Sequence, residues 1–439
     1  MRAEKPSRRI SLWSRRTGDK IKTVAADTDY QLQSWLCNSG TLKPGKQPVF
    51  RKALFLCLDQ PPLPNEYPKS AKDIRILAEQ VGAGDLFRDY IRFARHREAL
   101  IVIAAKVKPG AAIFATRISK LSSSLSASVL NKRGVSQQAI DDALMSPERT
   151  AKLCLVTRHN ASWVHGRDQN PDTDRLQSST VALIGCGSLG STVAQQLADA
   201  GVGGFLLVDD DTLSVPNTAR HFLGTEYLGH AKAAALAHAL QRRHPRIRCA
   251  KSFSRPFQYT DDALMKEVFQ SDLIIDCTGI WSCMASLHDL HKALEQKPAL
   301  LTAWFEPHAV ACLSVQLSPA GSELRAGFDP DGTQWSSVST WPNPSRRWVS
   351  PDACAVLFSS YGASELAFHA SHVAEHAIAI LCDHNPHPAY ISIGAADRLS
   401  AMGGLWSEGW VKANGGTEPG NRQLTSRWPL FDVVELDSA

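Results

Sequence analysis

A chain of 439 residues is long enough for two domains or three, each with its own core, and 44% hydrophobic with 21% charged residues is an ordinary globular balance. No apolar run reaches the roughly 18 residues that a membrane span needs. The formal charge of +5 is concentrated at one end, with eight basic and two acidic residues in positions 1–22, so the remainder is close to neutral and is not a nucleic-acid surface by charge.

In chain order, residues 1–45 are basic and polar and are expected to form a flexible arm. Residues 46–165 carry a strand-like run at 53–58, a helical pattern over 70–81, an apolar run at 99–107 ending at Pro109-Gly110, a serine-rich loop at 122–128 and a strand candidate at 153–157. They hold no chemical constellation and predict an N-terminal α/β or α+β domain. From Thr180 the text alternates: strand 181–184, helix 191–200, strand 204–208, a helix over 229–244 stopped by Pro245, and strand 273–276. That order predicts an α/β fold with a doubly wound, mainly parallel sheet over residues 166–395. A Gly-, Pro-, Ser- and Trp-rich loop at 318–353 and an amphipathic helix over 363–382 complete it, with 396–439 left as a C-terminal tail.

Ten cysteines are scattered without a C-x-x-C pair, and no signal-peptide pattern opens the chain. Neither a disulfide framework nor a zinc knuckle is suggested, and a cytoplasmic setting is expected.

Gly185-Cys-Gly187-Ser-Leu-Gly190 lies directly between a strand and a helix. Glycines there let backbone approach phosphates, and the helix N-terminus offers free N–H groups. Asp209 follows Gly190 by 19 residues at the end of the next strand, where a carboxylate can hold ribose hydroxyls. To this point the pattern serves NAD or ATP equally.

The next stretch separates them. Asp209-Asp-Asp211, then Asn217-Thr-Ala-Arg220, then Gly229-His-Ala-Lys232 resembles the D-x-D, N-x-x-R and G-x-x-K signature of the ubiquitin-activating enzyme superfamily, which includes the bacterial ThiF and MoeB adenylyltransferases. The likeness spans about residues 165–395 and leans toward the bacterial ubiquitin-activating-like proteins. It implies a Rossmann-like adenylation domain that uses ATP and Mg²⁺ to make an acyl-adenylate on the C-terminal glycine of a ubiquitin-like or other β-grasp protein. In such a site Arg220 and Lys232 would clamp phosphates, Asn217 would position them, and Asp209 with Asp211 would hold ribose or metal. Two cations at these offsets suit phosphoryl chemistry, which requires charge neutralisation and alignment rather than a base.

The resemblance places Mg²⁺ on an acid within a D-C-T-D pattern; here the run is Asp276-Cys-Thr-Gly279, so Asp276 is the candidate ligand and the second acid is absent. Arg167, in His165-Gly-Arg167-Asp168, resembles the arginine of the R-x-x-R-Q entry segment that reaches ATP across a dimer or pseudo-dimer interface, though the Gln is missing. Residues 46–165 would then be a reduced, inactive adenylation-like half, or the chain a homodimer.

Ubiquitin-activating members also carry a nucleophilic cysteine that takes the acyl group as a thioester for a ubiquitin-conjugating-enzyme homologue. Cys354 fits: it follows the 318–353 loop, precedes the 363–382 helix and has Arg346 and Arg347 nearby. Cys186, Cys277 and Cys312 lie in expected core positions. The alternatives are a sulfur-carrier adenylyltransferase of the thiamine or molybdopterin type, an NAD-dependent oxidoreductase, and a non-catalytic scaffold. His372-Val-Ala-Glu375-His376 matches the H-x-x-E-H zinc-protease pattern; the bland reading, histidines on the polar face of an alanine-rich helix, is preferred.

Overall fold

The structure, a computed structural model, describes residues 7–17, 20–26, 29–39, 41, 49–107, 110–130, 132–255, 262–294, 298–317, 323–347, 361–418 and 420–432. The chain divides into two compact units, 1–170 and 171–439.

The first unit is built on a six-stranded sheet in the order β2-β1-β3-β4-β5-β6. Its strands are β1 (Arg8–Thr17), β2 (Lys20–Ala26), β3 (Arg51–Leu58), β4 (Ala99–Lys106), β5 (Ala111–Ile118) and β6 (Ala151–Cys154). Its helices are α1 (Asp29–Asn38), α2 (Ala71–Gln80), α3 (Gly84–Phe93), a single turn α4 (Ser123–Leu125), α5 (Gln137–Leu144) and α6 (Ala161–Gly166). Only β3 and β4 run parallel; every other pairing is antiparallel. The unit is therefore α+β, and any kinship with an adenylation-like half rests on that one parallel pair. The segment expected as a flexible arm contains β1, β2 and α1. Ile10 is buried there, and the Arg8 and Arg9 guanidinium groups lie 4.8 and 5.7 Å from the Phe55 and Phe93 ring centres. Cation–π contact lets a basic strand join an apolar sheet. The strand expected at 153–157 sits at 151–154 instead, and Leu155 is fully exposed beyond it.

The second unit holds an eight-stranded sheet in the order β16-β14-β12-β11-β10-β7-β8-β9. Its strands are β7 (Thr180–Ile184), β8 (Gly204–Val208), β9 (Cys249–Phe253), β10 (Leu273–Asp276), β11 (Ala299–Phe305), β12 (Ala311–Leu317), β14 (Ala389–Ile393) and β16 (Arg422–Ser426); β13 (Ser339–Thr340) and β15 (Leu405–Trp406) form a separate pair. Strands β9, β8, β7, β10 and β11 are mutually parallel, and β12, β14 and β16 continue antiparallel. Its helices are α7 (Thr173–Ser178), α8 (Ser188–Ala200), α9 (Lys232–Arg243), α10 (Asp262–Phe269), α11 (Trp281–Ala293), α12 (Ala363–Leu381) and α13 (Glu408–Ala413).

Both faces of the sheet are covered, which is why its inner strands β7, β8 and β10 are apolar apart from Thr180 and Asp276 at their ends. Val181, Leu183, Phe205, Leu207, Leu273 and Ile275 pack beneath α8, α9 and α12. Ala182, Ile184, Leu206, Val208 and Ile274 face α10, α11 and a cluster containing Trp410, Trp428 and Phe431. The segment set apart in sequence as a tail is thus part of this unit: β16 pairs with β14, and three large aromatics close the lower face. Within the loop expected at 318–353, the Val338 and Ser339 amides donate to the buried Glu306 carboxylate at 2.7 and 2.8 Å.

Helix α12 carries the two histidines of the protease-like pattern, with His369 one turn ahead of them; all three are buried and spent on packing, not set on a polar face as expected. His369 bridges the Ser392 hydroxyl and the Ala309 carbonyl at 2.7 and 2.8 Å. His372 donates to the Leu424 carbonyl at 3.0 Å, and His376 meets the Ser314 hydroxyl at 2.9 Å while stacking on Tyr390 with ring centres 4.0 Å apart. These bonds run to β12, β14 and β16, so α12 is fastened along the antiparallel half of the sheet. No described helix is long and apolar enough to cross a membrane.

Burial holds the His369 imidazole at about 4 and that of His376 at about 3, below the ordinary value for histidine. The unfolded chain takes up protons below about pH 6.5, while the native rings stay neutral, so stability is full above that pH and falls as pH drops toward the folded values. Between pH 6.5 and 5 these two groups should cost up to roughly 2.7 kcal/mol per pH unit. Urea midpoints measured across that range in wild type and in His376→Asn should show the slope reduced by about half of that amount in the variant; an unchanged slope would show that His376 does not report on unfolding.

Candidate functional site

The order of the parallel strands reverses between β7 and β10, and the crevice beyond their carboxyl ends is where ligands bind in open α/β sheets. The glycine loop leaves β7 at that point. Gly185 has φ +86°, and a Cβ there would lie 2.9 Å from the Thr278 amide nitrogen in the loop after β10. A Cβ on Gly190 would sit 2.0 Å from the Gly185 carbonyl oxygen, so that glycine lets α8 approach the strand. A Cβ on Gly187 would meet nothing within 4 Å, which marks the open side of the loop at the start of α8. The three glycines thus divide as a phosphate loop requires: turn, approach and packing.

Asp209 stands just past β8. Its Oδ2 accepts the Cys186 amide inside the loop at 2.6 Å, and its Oδ1 accepts the Asp211 amide at 2.8 Å. Burial pushes its carboxyl above the ordinary range, while these two amides and Lys232 pull back. A carboxylate offers about four acceptor positions, so two remain for hydroxyl groups.

Asp211 continues the chain of contacts. Its backbone carbonyl accepts the Lys232 amide at 2.9 Å, and its exposed carboxylate meets Lys232 Nζ at 2.6 Å. Lys232 is 6% exposed. Residues 212 and 231 form an isolated antiparallel bridge, and Leu213 bonds both to Gly229 and to His230. This bridge is why α9 begins at Lys232 rather than at Gly229, and it brings the lysine beside the D-x-D turn.

Asn217 ends a 3₁₀ turn over 215–217, where its Oδ1 accepts from the Ser214 amide and hydroxyl at 3.0 and 2.9 Å. Arg220 donates from Nη1 to the Tyr361 carbonyl at 3.2 Å, and its guanidinium carbon is 4.6 Å from the Tyr361 ring centre. The Tyr361 hydroxyl in turn lies 2.6 Å from the Ser188 hydroxyl at the start of α8. Each cation is therefore linked to the glycine loop through a short series of contacts, Lys232 by way of Asp211 and Asp209, Arg220 by way of Tyr361 and Ser188.

Three contributors escaped the sequence reading: Ser188, Tyr361 and His221. His221 is buried; Leu223 donates its amide to Nδ1 at 3.0 Å, so Nε2 carries the proton and donates to the Cys186 carbonyl at 2.7 Å. Burial holds this imidazole below its ordinary value, fixing it as a neutral prop under the loop. Its place directly after Arg220 was the one available signal.

Asp276 is wholly buried at the end of β10. Oδ1 accepts from the Thr278 amide and hydroxyl at 2.8 and 2.7 Å, and Oδ2 is buried without a hydrogen-bond partner. Burial raises its carboxyl to about 6. An unsatisfied carboxylate oxygen fits a cation, and Mg²⁺ takes one or two carboxylates together with phosphate oxygens and water. Gly279, in the place of the missing acid, has φ +63° and contributes no ligand.

Other candidates are placed less tightly. Arg167 belongs to the first unit, where it ends α6 with φ 52°, donates to the Trp163 carbonyl at 3.2 Å and lies over the Trp163 ring. Cys354 lies outside the described residues. Of its competitors, Cys186, Cys277 and Cys312 all have thiols pushed up by burial, which disfavours the nucleophilic thiolate.

Residues 163–303 match the ThiF family model. An ATP-dependent ubiquitin transferase-like protein Cap2 of Enterobacter hormaechei is 38% identical over 121 residues, covering 28% of this chain and 20% of that protein. The adenylyltransferase and sulfurtransferase MOCS3 of Mus musculus is 38% identical over 104 residues, covering 24% and 22%. The molybdopterin-synthase adenylyltransferase of Escherichia coli K12 is 36% identical over 107 residues, covering 24% and 41%. The matches with Cap2 and MOCS3 thus span only about a fifth of those relatives. Among solved structures, E. coli MccB with ATP aligns at 15% identity over 60% of this chain and 68% of its own, with a TM-score of 0.38. The stretch that holds the glycine loop, Asp209, Asp211, Asn217, Arg220, Lys232 and Asp276 is a ThiF-family domain.

Proposed function

We infer that this chain adenylates the C-terminal glycine of a ubiquitin-like protein at the expense of ATP. The observation that carries the reading is the linkage of two cations, Lys232 and Arg220, to one glycine loop whose second glycine faces open space. The partner's carboxylate attacks the α-phosphorus, an oxygen–phosphorus bond forms, and pyrophosphate leaves with the electron pair of the broken bond. No proton need be moved, so the protein's work is to bring anions together and neutralise them.

In that reading ribose occupies the remaining acceptor positions of Asp209, and the triphosphate lies along Gly187 and the first turn of α8. Lys232 exchanges Asp211 for phosphate, and Arg220, held by Tyr361, meets the charge that develops on pyrophosphate. Mg²⁺, when bound, would draw charge from the phosphates, with Asp276 Oδ2 as its protein carboxylate.

Acyl transfer to Cys354 and handover to a ubiquitin-conjugating-enzyme homologue form the second half of the proposal. A sulfur-carrier substrate is the competing reading, favoured by the MOCS3 and molybdopterin-synthase adenylyltransferase likenesses, which are of similar strength to that with Cap2. Arg167 is proposed to reach ATP from a second copy in a homodimer or from an internal pairing.

Three outcomes follow. Pyrophosphate exchange that depends on a partner with an exposed C-terminal glycine should fall about 10²-fold or more in Lys232→Ala; an unchanged rate would overturn the reading. Mixing Arg167→Ala with Lys232→Ala protein should restore part of the activity if two copies share sites, whereas mixtures that stay inactive in a demonstrated dimer assign Arg167 elsewhere. Cys354→Ala should leave exchange nearly intact and abolish a covalent partner adduct that reductant cleaves. Robust exchange without any adduct in the wild type would favour the sulfur-carrier reading.

A further inference from the structure

The sequence Cys382-Asp-His384 closes α12, and its geometry serves no part of the nucleotide site. Cys382 is the C-cap of the helix. The next residue, Asp383, takes φ 57°, and the His384 amide returns to the Ala379 carbonyl at 2.9 Å while the Asp383 amide reaches Ile380 at 3.3 Å. This is a Schellman turn with aspartate rather than glycine in the left-handed position. Asn385 follows with φ 50°. Two left-handed residues that are not glycine, one on each side of His384, cost conformational energy and persist only where surrounding structure holds them.

The turn brings Cys382 and His384 against Asp172, at the foot of α7. His384 Nε2 lies 3.2 Å from Asp172 Oδ1, and one ligand atom from each of the three residues lies within 4.8 Å of the other two. It is the only such grouping of three among the described residues. In a tetrahedral zinc site, nitrogen and oxygen at about 2.0–2.1 Å from the ion are about 3.3 Å apart, and sulfur at about 2.3 Å is about 3.6 Å from nitrogen. The observed nitrogen–oxygen separation already matches such an edge, and a shift of the thiol by an ångström or so would complete the face.

We propose that Asp172, Cys382 and His384 bind a borderline-soft divalent cation, Zn²⁺ or a chemically similar ion, with the fourth position open to water. The donor set of thiolate, imidazole and carboxylate selects such an ion over Mg²⁺ or Ca²⁺. Thiolate and carboxylate together neutralise its two charges, and the thiol proton is released to solvent as the sulfur–metal bond forms. Cys382 and Asp172 are half-buried and His384 is exposed, so an ion has access from solvent. Arg175, within electrostatic reach of Cys382, has its Nε committed to the Leu381 carbonyl at 2.9 Å, where it caps α12. Burial and the Asp172 carboxylate push the Cys382 thiol up, so without a cation this cysteine is a poor nucleophile. The bound ion would clamp the end of α12, which packs on α8 of the nucleotide site, to the segment that enters the second unit. This inference stands apart from the adenylation reading.

Titration of the full chain with Co²⁺ under anaerobic conditions tests it. One equivalent should produce a thiolate-to-cobalt charge-transfer band and the intense visible bands of four-coordinate cobalt, and Zn²⁺ should abolish both. Cys382→Ser should remove the charge-transfer band, His384→Ala should weaken Co²⁺ binding at least tenfold, and Cys37→Ser should change nothing. Thermal melts of the metal-free proteins separate loss of binding from loss of fold, and His384→Ala, at an exposed position, keeps the test decisive if Cys382→Ser does not fold. Absence of the band in wild type, or its survival in Cys382→Ser, would overturn the proposal.

Discussion

The carboxylate of Asp209 ties together the parts of the candidate site. One oxygen takes the Cys186 amide in the middle of the glycine loop, the other takes the Asp211 amide at the head of the next segment, and the residue is half-buried. Removing it would leave the amide of buried Cys186 without its acceptor, at about 1–3 kcal/mol. The loop, the D-x-D turn and, through Asp211, the lysine at the start of α9 take their positions from this one group. His221 supports the same loop from beneath through the Cys186 carbonyl. Cys186 is thus held by both its amide and its carbonyl, and a loop so held can present its remaining N–H groups to an anion without reorganising.

The two cations of the site rest on partners they can exchange. Lys232 is almost wholly buried, yet its partner Asp211 is exposed, so an arriving phosphate can replace a carboxylate without leaving a buried charge unpaired. Arg220 rests on a carbonyl and an aromatic face, both neutral, and retains donors for an anion. Tyr361 joins this arginine to Ser188 and is the first described residue after the stretch that contains Cys354.

Helix α12 shows how a motif can match in letters and differ in use. His372, Glu375 and His376 have the spacing of a zinc-protease helix, but His369, His372 and His376 each spend a ring nitrogen on the antiparallel half of the sheet, and His376 stacks on Tyr390. The histidines add hydrogen bonds to Ser314, Ser392 and the Leu424 carbonyl, and with them a sensitivity to acid.

The strands β7, β8 and β10, the helices α8 and α12 and the nucleotide loop were legible in the sequence because their signals are local: apolar runs bounded by glycine, and loop glycines whose spacing follows from backbone geometry. Asp209, Asp211, Arg220 and Lys232 could be named as candidates for the same reason, since a short segment carries them all. The antiparallel extension from β12 to β16 was not, because such strands owe their existence to partners far along the chain, and the aromatics that make 396–432 part of the second unit have no periodicity to announce it. The basic N-terminal strands were hidden by their charge, which reads as solvated until the rings of Phe55 and Phe93 are placed beside it. By itself the sequence determined the strand–loop–helix unit and the residue types that a phosphate site demands. Tertiary structure alone decided that Tyr361 and Ser188 join Arg220 to that unit, that His221 props it, and that Asp172 meets Cys382 and His384 across more than 200 residues of chain, because side chains so far apart in sequence are brought together only by the packing of the whole sheet.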